Sequence, residues 1–331
     1  MKKWILFLSA CCLGVSCGQQ APYYEESGTV FHTYYRIKYQ SEQLLTNQID
    51  AELQAFNLSL NPFNPHSILA KVNRNEDVEA DEWFATVFNR AMEVSARSDG
   101  MFDATVAPLI NLWGFGFERK DSVSQQVIDS LLTFVGYRKI RLENGRVVKD
   151  DPRMMLNFSA IAKGFACDVI AALLEREGVT NYMVYIGGEV AVNGLNPNGH
   201  CWHVGIDRPE DDPYGINTQQ VHKIVQLCSK SGMATSGNYR NYYEKDGKRY
   251  AHTLNPRTGY PSEQSLLSAT IVAPDCMTAD AYATACMAMG LEKAVQMMDA
   301  LPGMEYYFIY STPDKPLQVK HSEGLSNMLL K

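Results

Sequence analysis

The stretch that most constrains the fold is Ser268 to Gly290, SATIVAPDCMTADAYATACMAMG. Leu266 to Val272 is rich in β-branched and apolar residues and predicts a strand. Pro274 and Asp275 break it. A helix built on small apolar residues follows from about Thr278 to Met289 and stops at Gly290. Asp280 and Thr284 interrupt its apolar surface. They are four apart, so they share one face a turn from each other. A carboxylate and a hydroxyl there form a compact oxygen-only site. Such a site suits a hard cation such as Mg²⁺, which keeps waters and shares its ligands with a phosphate. The pair also fits a purely structural role, with Thr284 bonding back to a helix carbonyl and Asp280 favouring the helix N-terminus.

The chain begins MKKWILFLSACCLGVSC. Two lysines, an apolar run too short to span a bilayer, then small residues and cysteine predict an export signal over 1–17. Cysteine after Gly-Val-Ser resembles a bacterial lipoprotein processing site, which points to Cys17 as the lipidated residue. Leu8-Ser9-Ala10-Cys11 is the alternative, with a very short apolar run, and plain secretion is another. Gly18 to about Gly28, mostly polar, then reads as a tether. The remainder suffices for one large domain or two intimate subdomains. A net charge of −7 with no basic run argues against nucleic acid. Five cysteines lie beyond Cys17, with no CxxC. The odd count indicates neither a disulfide framework nor a zinc knuckle and leaves most of them as core residues.

Along the rest of the chain, Thr29–Tyr39 alternates as a strand and Asn47–Phe56 as an amphipathic helix. The loop NPFNP carries Phe63, an aromatic that could stack on a flat ring or simply anchor a turn. Asp81–Ser98 has helical spacing. It leads into SDGMFDATVAPLINLWGFG, whose glycine-punctuated aromatics allow close backbone approach to a ligand, or tight packing under a loop. Asp121–Leu132 reads as a helix. Asn144-Gly145 predicts a hairpin, and Met154–Phe158 a buried strand. Ser159 is the expected N-cap of the helix AIAKGFACDVIAALLERE. Lys163 in its first turn opposes the helix dipole and calls for a local anion, unless it is simply solvated. SGMATSGNYRNYY reads as a loop feeding Tyr239 and Arg240, whose N–H groups could meet phosphate. Neither a P-loop nor GxGxxG is present. The expected class is α+β, with mixed β-sheets and packed helices.

In order, SDGMFDATVAPLINLWGFG, AIAKGFACDVI, NYMVYIGGEV, ATSGNYRNYY, HTLNPRTGYP and TADAYATA resemble the blocks of the ApbE family of flavin transferases, over roughly Thr29 to Leu301. The resemblance implies a T-fold-like domain over 29–331. It implies a periplasm-facing, lipid-anchored enzyme of the bacterial cell envelope. With Mg²⁺, such an enzyme cleaves FAD and places FMN on a threonine hydroxyl of subunits of membrane redox complexes, releasing AMP. By the resemblance, Asp280 and Thr284 hold the metal with a backbone oxygen of Ala160. Phe31, Phe63, Met101, Phe102, Asp103, Asn157, Lys163 and Leu254 fall at flavin-nucleotide positions. His252 is the candidate base, and Asp280 is catalytic through the metal.

Two residues depart from the family pattern. His32 replaces a glycine and could narrow the flavin pocket. Asn157 replaces an acid, which would weaken metal binding. An FAD pyrophosphatase and a flavin-binding lipoprotein without turnover are the alternative activities.

Overall fold

A computed structural model describes residues 21–115, 123–209, 221–237, 242–245, 248–251, 253–262 and 265–330. The elements run β1 (Tyr23–Val30), β2 (Thr33–Gln40), α1 (Thr46–Leu60), α2 (Ile68–Asn73), α3 (Glu82–Arg97), α4 (Ala107–Leu112), α5 (Gln125–Leu132), β3 (Ile140–Glu143), β4 (Arg146–Lys149) and α6 (Ala162–Arg176). They continue as β5 (Tyr182–Ile186), β6 (Glu189–Asn193), β7 (Trp202–Asp207), β8 (Val221–Leu227), β9 (Ser231–Gly237), β10 (Tyr242–Lys245) and β11 (Lys248–Ala251). The last are β12 (Leu266–Ala273), α7 (Cys276–Met289), α8 (Leu291–Asp299), β13 (Glu305–Thr312), β14 (Lys315–His321) and α9 (Glu323–Ser326). Among the described residues eight strands form one sheet in the order β1-β2-β5-β6-β9-β12-β13-β14. The class is α+β, as expected. Every pairing within the sheet is antiparallel, so it is not mixed.

The central strands are buried on both faces, and the period of two sorts their side chains. Ala191, Ala234, Ile271, Ala273, Tyr306 and Phe308 face the main core, where α6 and α7 lie. Val190, Val192, Met233, Val272, Tyr307 and Ile309 face the other way, onto Trp202, Ile206, Val225 and Leu227 of the β7–β8 ribbon. Small residues on the helix side let α7 sit close to the sheet. α7 is itself buried almost all round, and it ends at Gly290, whose φ is 82°.

Several expectations change. Tyr23–Val30 is the edge strand β1, not a tether; its outward Glu25 pairs with Arg36 and Lys38 of β2, and such polar edge residues resemble a linker in sequence. Thr29–Tyr39 is not one strand, because Phe31 and His32 turn it with φ of 51° and 60°. Two non-glycine left-handed residues are costly, so this turn carried no composition signal. Ser231–Gly237 is the central strand β9, not a loop; its small residues serve the approach of α7. Met154–Phe158 is buried but makes only an isolated bridge, Val106 to Met155. Ser159 does not cap α6, which begins at Ala162 without a side-chain cap. Within the predicted Asp121–Leu132 helix, α5 starts at Gln125 under a Ser124 cap. Cys201 and Cys228 form a disulfide that flanks the β7–β8 pairing, while Cys167, Cys276 and Cys286 are free and buried. The odd count concealed one pair. Residues 1–20, which hold the expected signal and Cys17, lie outside the described residues.

α7 is held by its first residue. A Cβ on Gly164 of α6 would lie 2.3 Å from the Cys276 carbonyl oxygen, and one on Gly232 of β9 would lie 2.2 Å from the Cys276 nitrogen. Only glycine permits this approach from both sides. Gly232→Ala is therefore expected to cost about 3 kcal/mol of unfolding free energy, because rigid backbone has to retreat. Gly205→Ala, whose Cβ would meet the Val221 side chain at 3.4 Å, is expected to cost under about 1 kcal/mol. Denaturant titration of both variants checks this, and equal losses would remove the clamp.

Candidate active site

Three features converge beside that clamp. The first is the face of α7 that carries Asp280 and Thr284. The second is the N-terminus of α6, which carries Lys163. The third is the Gly187-Gly188 turn that leads into Glu189 of β6. They border a cavity of about 350 Å³ that the Met101–Asp103 loop, Thr253 and Leu254 also line. That is within the ordinary size of a small-molecule site.

Asp280 is 3% exposed, and its Oδ2 accepts the Gly164 N–H at 3.0 Å. The α7 N-terminus is served by others. Asp275 caps Thr278, and Asp168 of α6 accepts the Cys276 and Met277 N–H groups at 2.9 and 2.8 Å. Burial pushes the Asp168 carboxyl up to about 7, and those two N–H groups pull it back. Asp280 thus serves the first turn of α6 and not that of its own helix. Thr284 does not bond back to its own helix; its Oγ1 lies 3.1 Å from Ser236 Oγ of β9. Asp280 and Thr284 thus bond to α6 and to β9 respectively, and both line the cavity.

The local anion that Lys163 calls for is Glu189. The two form an ion pair in which Glu189 is 4% exposed and Lys163 about a third exposed. Burial disfavours the Lys163 ammonium, but Glu189 and Asp280 together more than reverse this and hold it charged. Burial likewise pushes Glu189 up to about 7, with Lys163 opposing and Asp280 adding to the rise. Burial also raises Asp280, with Lys163 and the Gly164 N–H opposing. Glu189 Oε2 is buried with no hydrogen-bond partner. Two buried carboxylates thus face one ammonium. The orphaned oxygen and the all-oxygen lining of Asp280 and Thr284 fit a hard cation. Among the described residues no cluster of three or more His, Cys, Asp or Glu forms. A cation here would therefore rest on one carboxylate, a hydroxyl and neutral oxygens.

Of the expected site residues, Met101, Phe102, Asp103, Asn157, Ala160, Lys163, Leu254, Asp280 and Thr284 line this one cavity. Asp103 is occupied within its own loop. Its carboxylate accepts from the Thr105 N–H and hydroxyl and from the Tyr137 N–H, at 2.7–2.8 Å. The Asn157 side chain accepts the Ser159 N–H at 2.7 Å and shapes the approach to α6. Phe31 and Phe63 are not among the lining residues. The Phe31 ring packs 5.0 Å from Phe56, and Phe63, 55% exposed, meets the edge of His32. His32 accordingly does not narrow this cavity. His252 lies outside the described residues, next to the lining Thr253 and Leu254. Trp113 packs in a side cluster and donates to the Gly259 carbonyl at 2.7 Å, so it supports the 253–260 turn, while Phe102 of the same stretch lines the cavity. Sequence reasoning missed Glu189, although the misplaced charge of Lys163 was its signal.

The family model of the ApbE family matches residues 31–308. The chain belongs to the ApbE family. It is 33% identical over 311 residues to the FAD:protein FMN transferase of Vibrio cholerae, covering 91% of each protein. It is 33% identical over 320 residues to that of Haemophilus influenzae, covering 90% of this chain and 91% of the relative. The solved flavin transferase ApbE from Vibrio cholerae superimposes with a TM-score of 0.82 at 32% identity, over 93% of this chain and 99% of that one.

Removing Lys163 strands a buried carboxylate. Lys163→Met is expected to cost about 2 kcal/mol of stability, discounted from the 3–5 kcal/mol of a fully buried pair because the lysine is partly exposed. Adding Glu189→Gln is expected to restore most of it. Equal unfolding midpoints for the single and double variants would show that the pair is not coupled.

Proposed function

We propose that this protein transfers FMN from FAD to a threonine hydroxyl of an acceptor flavoprotein in a Mg²⁺-dependent reaction that releases AMP. One observation carries the reading: Asp280, Thr284 and Lys163 open to the same cavity in a chain of the ApbE family.

Asp280 and Thr284 would hold Mg²⁺ with a carbonyl oxygen of Ala160. Bound there, the ion would supply neutralisation of pyrophosphate charge. The Lys163 ammonium and the α6 N-terminus lie on the same side of the cavity and favour the same anion. Glu189 keeps Lys163 charged and fixed. The Met101–Asp103 loop and Leu254 provide the walls against which the nucleotide orients. In the transfer itself, the acceptor oxygen bonds to the FMN phosphorus, and the bond to the bridging oxygen breaks. That oxygen leaves with AMP, and the hydroxyl proton passes to a base. His252 is that base in this reading, because imidazole accepts a proton near neutral pH. The barrier falls mainly through positioning and electrostatics, so losing the metal seat outweighs losing the base.

The lysines, apolar run and Cys17 at the start of the chain support export and lipid anchoring at the periplasmic face of a bacterial envelope. The Cys201–Cys228 disulfide supports an oxidising compartment as well. Acceptors in that setting are subunits of membrane redox complexes.

Incubation with FAD, Mg²⁺ and an acceptor domain, followed by mass spectrometry, is expected to show FMN on threonine. Free FMN and AMP without adduct would mean hydrolysis, and retained FAD without AMP would mean binding alone. Asp280→Ala is expected to lower AMP release by about 1,000-fold or more with the fold intact; full activity would remove the metal seat. His252→Ala is expected to slow transfer by about 10²-fold while FAD still binds; unchanged turnover would dismiss the base. Cys17→Ala is expected to move the protein from the membrane fraction to the soluble one, and no change would dismiss Cys17 as the anchor.

A further inference from the structure

Two hydroxyls at the end of β9, those of Thr235 and Ser236, belong to residues that line the cavity. Thr235 is already engaged: its Oγ1 lies 2.8 Å from Oγ1 of the buried Thr270 on β12. Ser236 is not tied to the sheet in this way. Its Oγ lies 3.1 Å from Thr284 Oγ1, and among the described residues neither of these two hydroxyls has another partner.

Their meeting follows from the clamp at Cys276. Alternation along β9 puts Gly232, Ala234 and Ser236 on the face toward α7. Gly232 lies against Cys276 and Ser236 against Thr284, so strand and helix run the same way. Four strand residues past Gly232 advance about 13 Å, and eight helical residues past Cys276 advance about 12 Å. Ser236 therefore comes level with Thr284.

A hydroxyl has one proton and two acceptor lone pairs. If Ser236 donated to Thr284, the Thr284 proton would be left to the cavity, where it repels a cation. If Thr284 donates to Ser236, the Thr284 lone pairs stay free for a cation. The Ser236 proton is then free to meet a phosphate oxygen. A cavity that takes a cation and a polyanion together selects the second direction. Each bond also polarises the next, so cation and anion strengthen one another through the pair.

Resting on the transferase reading, we propose that Ser236 is a further binding residue of this site, which accepts a hydrogen bond from Thr284 and donates its own to the diphosphate of the flavin dinucleotide. It touches the substrate directly. It acts on the cation only through Thr284, as the outer partner that orients a metal ligand.

The test reads binding and not turnover. Mn²⁺ replaces Mg²⁺, and its binding is followed by the EPR signal of the free ion. FAD binding is followed by flavin fluorescence with EDTA present, so that no transfer or hydrolysis occurs. Ser236→Ala is expected to weaken Mn²⁺ binding about tenfold. Thr284→Val is expected to lose at least as much. Ser236→Ala/Thr284→Val is expected to lose no more than Thr284→Val alone, because Ser236 reaches the cation only through Thr284. Under EDTA, Ser236→Ala is expected to weaken FAD binding about fivefold, because that hydrogen bond is direct. Wild-type Mn²⁺ affinity in Ser236→Ala, additive losses in the double variant, or unchanged FAD affinity under EDTA each overturns the proposal. A wild-type protein that binds Mn²⁺ and FAD as expected, with non-additive losses, but transfers no FMN sinks the transferase reading and not the role of Ser236.

Discussion

The structure depends on the close approach of α7 to α6 and β9 at Cys276. Two glycines, Gly164 and Gly232, remove the side chains that would hold these backbones apart. Two carboxylates, Asp168 and Asp275, accept the N–H groups that the helix start leaves without partners. Together they set how far α7 sits from its neighbours. Asp280, one turn further on, then reaches the N–H of the same Gly164 that allows the contact. Packing and site geometry are thus one constraint. A change that moves the helix start moves the carboxylate.

The electrostatics follow from that placement. Asp280 and Glu189 approach the cavity from different elements, and Lys163 lies with both. Burial disfavours each charge alone, and the three persist together because opposite signs are close. Burial pushes both carboxyls up while Lys163 opposes the rise in each, and Glu189 Oε2 is left without a hydrogen-bond partner. A protein that only folded around this cluster would gain by replacing it with apolar residues. A site that binds a cation together with a polyanion uses both signs, and the ammonium and carboxylates divide that task.

Much of this was legible in the sequence, for physical reasons. The Asp280–Thr284 spacing places both residues on one helical face whatever the surroundings, and Lys163 against the helix dipole announced an anion. The fold class followed from strands and helices whose periodicities are distinct. The failures share a cause as well. β9 is built of Ser, Gly, Ala and Thr because α7 lies on it, and locally such a strand cannot be told from a loop. β1 is an edge strand whose polar outer residues imitate a linker. The Phe31-His32 turn uses left-handed residues that no turn rule selects; its rings pack on Phe56 and Phe63. Cys201 and Cys228 meet only through the β7–β8 register, which cysteine counting does not contain.

The account stands on a cation seated by Asp280 and Thr284 against the phosphates of a flavin dinucleotide. The most direct test is a crystal grown with FAD and Mn²⁺, read by anomalous scattering. The predicted result is a peak bound to the Asp280 carboxylate and the Thr284 hydroxyl, with the diphosphate beside Lys163. FAD bound in this cavity with the anomalous peak elsewhere, or with none, would contradict it.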